Sequence, residues 1–258
     1  MTEPKPINSA RKPQQAPWQA SVLTLFPDAF PGVLGASIIG SALKDEKWAL
    51  EAIDIRDFSY NKHRSVDASP AGGGPGMVLT PEVSARAIDS VRDSVARKAD
   101  ETVDTRPLIY LTPRGKPLTQ KRVRELASGS GVIVFCGRFE GLDQRVIEAR
   151  NMEEVCVGDF ILAGGEVAAQ AMIEACVRLL PGVLGDISST EEESFEDGLL
   201  EYPLYAKPRE WEDRKIPEVL LSGDHKKIAM WRQAEMEKIT KERRPDMWEI
   251  YMRDKMEK

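Results

Sequence analysis

Three glycine-bearing loops leave the ends of apolar runs in this sequence: YLTPRG (110–115), FCGRFEG (135–141) and VGDFILAGG (157–165). Glycine at a strand end lets the backbone approach a ligand closely, because no Cβ intervenes. In parallel α/β sheets, ligands bind beyond the carboxyl ends of the strands. Three such loops converging on one ligand therefore describe a small-molecule cleft. Within the second loop, Glu140 can accept hydrogen bonds from a ribose, from an amine or from the next helix N-terminus. Other chemistry-bearing groups are less specific on their own. GGGPG (72–76) lacks the Lys-Ser/Thr of a triphosphate site, and Met77 stands where GxGxxG needs its last glycine, so it reads first as a flexible turn. The acids Glu191, Glu192 and Glu193 read as a solvated face, and Arg178 as a helix C-terminal charge paired with Glu174.

The elements that must position these groups alternate. SVLTLF (21–26) reads as a strand, followed by a helix to about Lys44 and a strand in ALEAIDIRDF (49–58). After an irregular segment, 59–77, a helix follows Pro81. PLIYLT, GVIVFC and the apolar run at 155–157 supply further strands, with helices at KRVRELAS and after FEGLDQ. The pattern predicts an α/β domain with a mainly parallel sheet. The stretch 154–185 is its organising part, a glycine loop leading into a helix over 166–180 that Pro181 and Gly182 stop. This helix is apolar almost all round, except for one stripe of Glu166, Gln170, Glu174 and Arg178. Two readings stay open: a helix buried against the sheet and against a partner subunit, or a plain core helix with one wet seam.

Residues 1–20, rich in Pro, Gln and Lys, read as a disordered extension. A main domain is expected over 21–185, a linker over 186–200 and a small all-α domain over 201–258, with Ser222 or Asp224 capping its first long helix. A net charge of −6 excludes a global basic field, so any nucleic acid must be held by a local patch. From Lys207 onward the chain carries 14 Lys/Arg against 12 Asp/Glu. No apolar run approaches the ~20 residues of a membrane helix. Cys136, Cys156 and Cys176 lack CxxC spacing, and His63 and His225 are the only histidines. No metal site is expected; free buried thiols in a cytoplasmic protein are.

GGGPGM, YLTPRGKPLTQ, FCGRFEGLDQRV, VGDFILAGGE, RLLPGVLG, SFEDGLLEYPLY and LLSGDHKKIAMWR stand in the order and spacing of one family. Over about residues 21–245 the chain resembles the bacterial tRNA (guanine-N1)-methyltransferases of the SPOUT superfamily, which modify guanosine 37. The resemblance implies a deep trefoil knot, an obligate homodimer with active sites at its interface, and S-adenosylmethionine held by three loops. Those residues are Tyr110, Leu111, Thr112, Pro113 and Gly115; Gly137, Glu140 and Gly141; and Cys156, Val157, Gly158, Asp159, Phe160, Ile161, Leu162, Gly164 and Gly165. It implies Glu193 as the base that takes the N1 proton, with Glu201 as its rival, and Arg178 as the cation beside O6. The helical domain would grip tRNA through contacts such as Lys207, Arg209, Lys226 and Arg232. Mg²⁺ dependence is a family expectation that no residue pattern here indicates; neither DNA nor a membrane is an expected partner. The chain departs from the family pattern at Glu193 and Glu201 (Asp in the family), Ala71 and Phe139 (Tyr) and Cys156 (Ser). The rival readings are a nucleotide-binding dehydrogenase or NTPase, a methyltransferase of another RNA, and a catalytically silent RNA-binding module.

Overall fold

The structure, a computed structural model, describes residues 16–99, 104–185, 193–195 and 197–256. The chain divides into two compact units, Met1–Gly185 and Asp186–Lys258. The first is built on a five-stranded sheet of β1 (Trp18–Thr24), β2 (Trp48–Asp54), β5 (Leu108–Pro117), β6 (Gly131–Cys136) and β7 (Glu153–Cys156). The spatial order is β2-β1-β6-β5-β7, and every pairing is parallel. A separate small ladder joins β3 (Asp67–Ala68) to β4 (Val78–Leu79). The helices are α1 (Ser37–Lys44), α2 (Pro81–Ala99), α3 (Gln120–Ser128), α4 (Gln144–Ala149) and α5 (Glu166–Val177).

Successive strand residues point to opposite faces, so a sheet covered on both sides has strands apolar throughout. Every residue of β6, GVIVFC, is buried. Its Val132 and Val134 join Val22, Ile109 and the buried side of α5 in one core cluster. Ile133 and Phe135 join Leu23, Tyr110 and the buried side of α2 in the other. Buried Trp18 and Trp48 keep their indole N–H groups satisfied, donating to the carbonyls of Leu126 (3.0 Å) and Ile39 (3.1 Å). Helix starts are capped where polar side chains allow it: Thr119 accepts from Arg122 N, and Asp143 from Arg145 N.

Several boundaries differ from the sequence reading. β1 begins at Trp18, inside the stretch 1–20 set aside as an extension; residues 1–15 lie outside those described. The strand expected over 49–58 ends at Asp54 and tightens into a 3-10 turn, Ile55–Phe58. α5 ends at Val177, and residues 179–183 continue in tight i→i−3 turns, so helix periodicity persists in sequence after the helix has stopped. The second unit contains α6 (Glu218–Leu221), α7 (His225–Arg243) and α8 (Pro245–Met256), with Asp224 capping α7 by accepting from Lys227 N. Ahead of them, where the sequence looked helical, lies a short antiparallel hairpin of β8 (Glu210–Trp211) and β9 (Arg214–Lys215). Glu212 and Asp213 adopt positive φ at its tip, the left-handed conformation that two-residue hairpin turns demand.

A buried ion pair locks the sheet's underside. Arg106 and Asp104, both with side chains 2% exposed, meet at 2.8 Å, and Arg106 also donates to Ser21 Oγ of β1 at 3.0 Å. Removing one partner leaves an uncompensated charge, so Arg106→Met is expected to cost about 3–5 kcal/mol in denaturant unfolding. The double replacement with Asp104→Leu should restore most of it; a neutral single variant would contradict this. Burial also raises the thiols of Cys136 and Cys176, the latter to about 12. A raised value means the folded state holds protons that the unfolded chain, titrating near ~8.5, has released. Stability should therefore be full below pH ~8.5 and fall as pH rises towards 12. Cys176→Ala should flatten that fall in unfolding curves taken from pH 7 to 11; an unchanged slope would assign it elsewhere.

Candidate active site

β6 and β7 end on either side of β5, which the sequence reading breaks off into a loop at 110–115 but which runs on to Pro117. Residues 110–113 of β5 and the loops that follow β6 and β7 enclose one cleft of about 290 Å³. Of the residues expected to hold a cofactor, all but Gly115 and Asp159 line it. Arg138, Phe139, Val155, Ala163 and Ala168 line it too; of these the sequence reading named only Phe139, as a departure from the family pattern. Gly115 has a different use. A Cβ there would sit 2.4 Å from Val155 N, so only glycine lets β5 and the backbone of β7 cross this closely. The β5–β7 ladder breaks at this place, running Leu111–Val155 and then resuming at Lys116–Val155.

Tyr110 forms the back of the second loop. Its buried hydroxyl accepts from Leu142 N at 3.1 Å, and its ring packs edge-on against Phe135. A Cβ at Gly141, where φ is +111°, would lie 2.7 Å from that hydroxyl, and one at Gly137 would lie 2.9 Å from the ring. Burial raises the phenol's pKa, which keeps the hydroxyl protonated. Tyr110 is thus a strut that shapes the loop as well as a lining residue.

Between the second and third loops lies a charged contact. Glu166 opens α5 yet is only 3% exposed. Thr24, the last residue of β1, donates to its Oε1 at 2.7 Å, and Arg138 Nη2 lies 2.9 Å from its Oε2 as a charge contact without well-directed hydrogen-bond geometry. The guanidinium also donates to the carbonyl of Ala163 (3.3 Å) and covers the ring of Phe26, 4.3 Å from its centroid. Gly164 lies against it, since a Cβ there would meet Arg138 Nε at 2.2 Å. The sequence signal for this pair was available: an arginine after a strand end and a glutamate opening an apolar helix, each costly to bury alone.

The third loop is tightened by Cys156 Sγ, which donates to Gly158 O at 3.1 Å, and by the ring of Phe160 over Gly158. Phe160 and Ile161 are exposed and give the cleft an apolar lip. Elsewhere on the helix, Gln170 donates to Ala29 O at 2.9 Å, and Arg178 N donates to Glu174 O at 3.0 Å. Arg178 is half-buried just beyond α5 and is not among the residues lining the cleft.

The remaining expected site residues lie in the second unit. Glu201 N donates to Ser194 Oγ at 2.9 Å, and Phe195 N to Leu199 O, so Glu193 and Glu201 flank the neck of one small loop. Glu191 and Glu192 lie outside the described residues. Lys207, Arg209 and Lys226 are exposed, whereas Arg232 is half-buried with its guanidinium 4.6 Å from the ring centroid of Tyr202. Among the described residues, no group of three or more His, Cys, Asp or Glu side chains gathers to hold a metal ion, and no helix is long and apolar enough to cross a membrane.

Comparison with known proteins places this architecture. A tRNA (guanine-N(1)-)-methyltransferase of Rhodopseudomonas palustris (strain HaA2) is 59% identical over 231 residues, spanning 90% of this chain and 88% of its own. Proteins of the same name from Mesorhizobium japonicum and Brucella ovis are 59% and 55% identical, covering 89% and 92% of this chain and 96% and 94% of theirs. The family described as "tRNA (Guanine-1)-methyltransferase TrmD" matches residues 18–250, which takes in both units. The chain belongs to the tRNA (guanine-1)-methyltransferase family.

Proposed function

We propose that this protein is an enzyme that methylates N1 of guanosine 37 in tRNA, using S-adenosylmethionine, as a cytoplasmic homodimer. The observation that carries the reading is the cleft formed by residues 110–113 of β5 and the loops after β6 and β7, in a chain of this family. Its volume is near the ~300 Å³ lower end for ligand pockets, and its lining suits the donor. Leu111, Val157, Ile161 and Leu162 offer apolar walls for a purine and a thioether chain, and Glu140 offers a carboxylate to ribose hydroxyls or an amine. The deep trefoil knot belongs to this reading through the resemblance to the family. Val167, 64% exposed on a face of α5 that it shares with exposed Ala171 and Glu174, supports a dimer seam.

The chemistry asks three things of the residues. Guanine N1 carries a proton at neutral pH and becomes nucleophilic only once a carboxylate within hydrogen-bond reach removes it. Glu193 fills that role, and Glu201, at the neck of the same loop, is the alternative. Negative charge then spreads to O6, where the guanidinium of Arg178 stabilises it. The donor supplies a methyl carbon already activated by a sulfonium. As the N1–C bond forms, the S–C bond breaks, leaving 1-methylguanosine and S-adenosylhomocysteine. The lining residues contribute alignment. Glutamate in place of the family's aspartate adds a methylene, so the loop carrying Glu193 must seat it about one bond length further back. Residues 186–200 serve as the linker and 201–258 as the tRNA-gripping unit.

Glu193→Gln should lower single-turnover methylation by about 10²–10⁴-fold while tRNA still binds. A rate near wild type would transfer the assignment to Glu201. Arg178→Ala should cost about 10²–10³-fold in the chemical rate; a change in tRNA affinity alone would make it a binding residue. Affinity for tRNA should fall linearly on a log–log plot as salt rises, and Lys226→Ala should reduce that slope by about one. An unchanged slope would remove Lys226 from the phosphate contacts.

A further inference from the structure

The glycine run at 72–76 reads in sequence as a turn, but its glycines are not equivalent in the fold. Gly72, Gly73, Gly74 and Gly76 all have positive φ, from +80° to +118°. A Cβ on any of the first three would meet nothing within 4 Å. At Gly76 it would lie 2.4 Å from Oε1 of Glu140, 2.5 Å from its Cγ and 2.8 Å from its Cδ. The Glu140 side chain therefore lies flat on the bare Cα of Gly76.

The backbone around this contact is in register. Glu140 N donates to Met77 O at 2.9 Å, Leu79 N to Gly141 O at 2.9 Å, and Asp143 N to Leu79 O at 3.3 Å. Leu79 and Leu142 form a parallel bridge, and Leu142 N is held from behind by Tyr110. Residues 77–79 are thus zipped to the wall of the cleft, with Gly76 fixed beside Glu140. That side chain is otherwise exposed, and a free glutamate loses considerable rotamer freedom when a ligand orders it. A surface that restricts it beforehand lowers that cost on binding.

We propose that Gly76 is a positioning residue, whose missing side chain makes the seat on which the Glu140 carboxylate is held ready for the methyl donor. This rests on the reading of Glu140 as a donor-binding residue. A Cβ at 76 would push an exposed, flexible side chain aside, so the variant should fold and yet hold the carboxylate wrongly.

The test is calorimetric titration with S-adenosylhomocysteine. Glu140→Ala should weaken binding by about tenfold, the worth of a hydrogen bond to a charged group. Gly76→Ala should weaken it comparably and add nothing in the Glu140→Ala background. Gly72→Ala imposes the same left-handed strain with no neighbour to displace. It should match Gly76→Ala in melting temperature and the wild type in affinity. Glu140→Asp, too short to rest on Gly76, should weaken binding with residue 76 untouched, which keeps the test open if Gly76→Ala fails to fold. Wild-type affinity in Gly76→Ala or Glu140→Asp, or losses that add in the double variant, would overturn the role of Gly76. Wild-type affinity in Glu140→Ala would instead remove Glu140 from donor binding, and the seat's purpose with it.

Discussion

The cleft depends on a carboxylate with little access to water. Glu166 is held by the hydroxyl of Thr24 at the end of β1 and by the guanidinium of Arg138 after β6, while itself opening α5. Arg138 in turn reaches Ala163 in the third loop. One charge pair thus ties the end of a central strand, two of the three loops and the first turn of the buried helix. A carboxylate at a helix N-terminus is favoured by the helix dipole, and its burial requires a cation close by. The glycine at 164 follows from this, because the guanidinium fills the space a side chain would take. The arrangement converts irregular, glycine-rich backbone into a wall of defined shape.

Much of this was legible in the sequence, for identifiable reasons. The apolar GVIVFC reads as a buried strand, and it lies at the sheet's centre. Two of the three glycine segments, after β6 and β7, are the strand-end loops expected, since glycine spacing and strand length are local signals. The first, 110–115, lies within β5, which runs on to Pro117 past a break in its ladder with β7 that no local signal marks. What escaped was mostly tertiary. Arg138 and Glu166 lie 28 positions apart, and their pairing exists only once α5 has packed beside β1. The hairpin at 210–215 lacks the Asn-Gly or Asp-Gly of a strong turn, so its residues resembled a helix start instead. The end of α5 was overrun because apolar spacing continues through Leu179 and Leu180 in turns that bury the same side.

The two units differ in how they are held together. The first rests on a parallel sheet with apolar layers on both faces, and its few buried charges are paired. The second has few fully buried side chains among its described residues, Leu199 and Thr240 being two of them. It relies on polar contacts such as those Glu237 accepts from Gln233 at 3.0 Å, Lys255 at 3.0 Å and Tyr251 at 2.9 Å, which hold that carboxyl below its usual range. Exposed ion pairs of this kind contribute little each and weaken with salt. A unit with a small core and many surface charges suits a role in recognition, where side chains must remain available to a partner.

The strand order also bears on how the chain is made. β1 comes first in the sequence, but it lies between β2 and β6, and its Trp18 hydrogen-bonds to a carbonyl 108 positions later. During synthesis, β1 can pair only with β2 until β6 has left the ribosome, so for much of translation an apolar strand keeps one open edge. Pairings this distant slow folding and leave unpaired strand edges prone to sticking. The polar stretch that precedes Trp18 emerges ahead of that edge, and the glycine loops that later shape the cleft are all made after β1 has begun to wait.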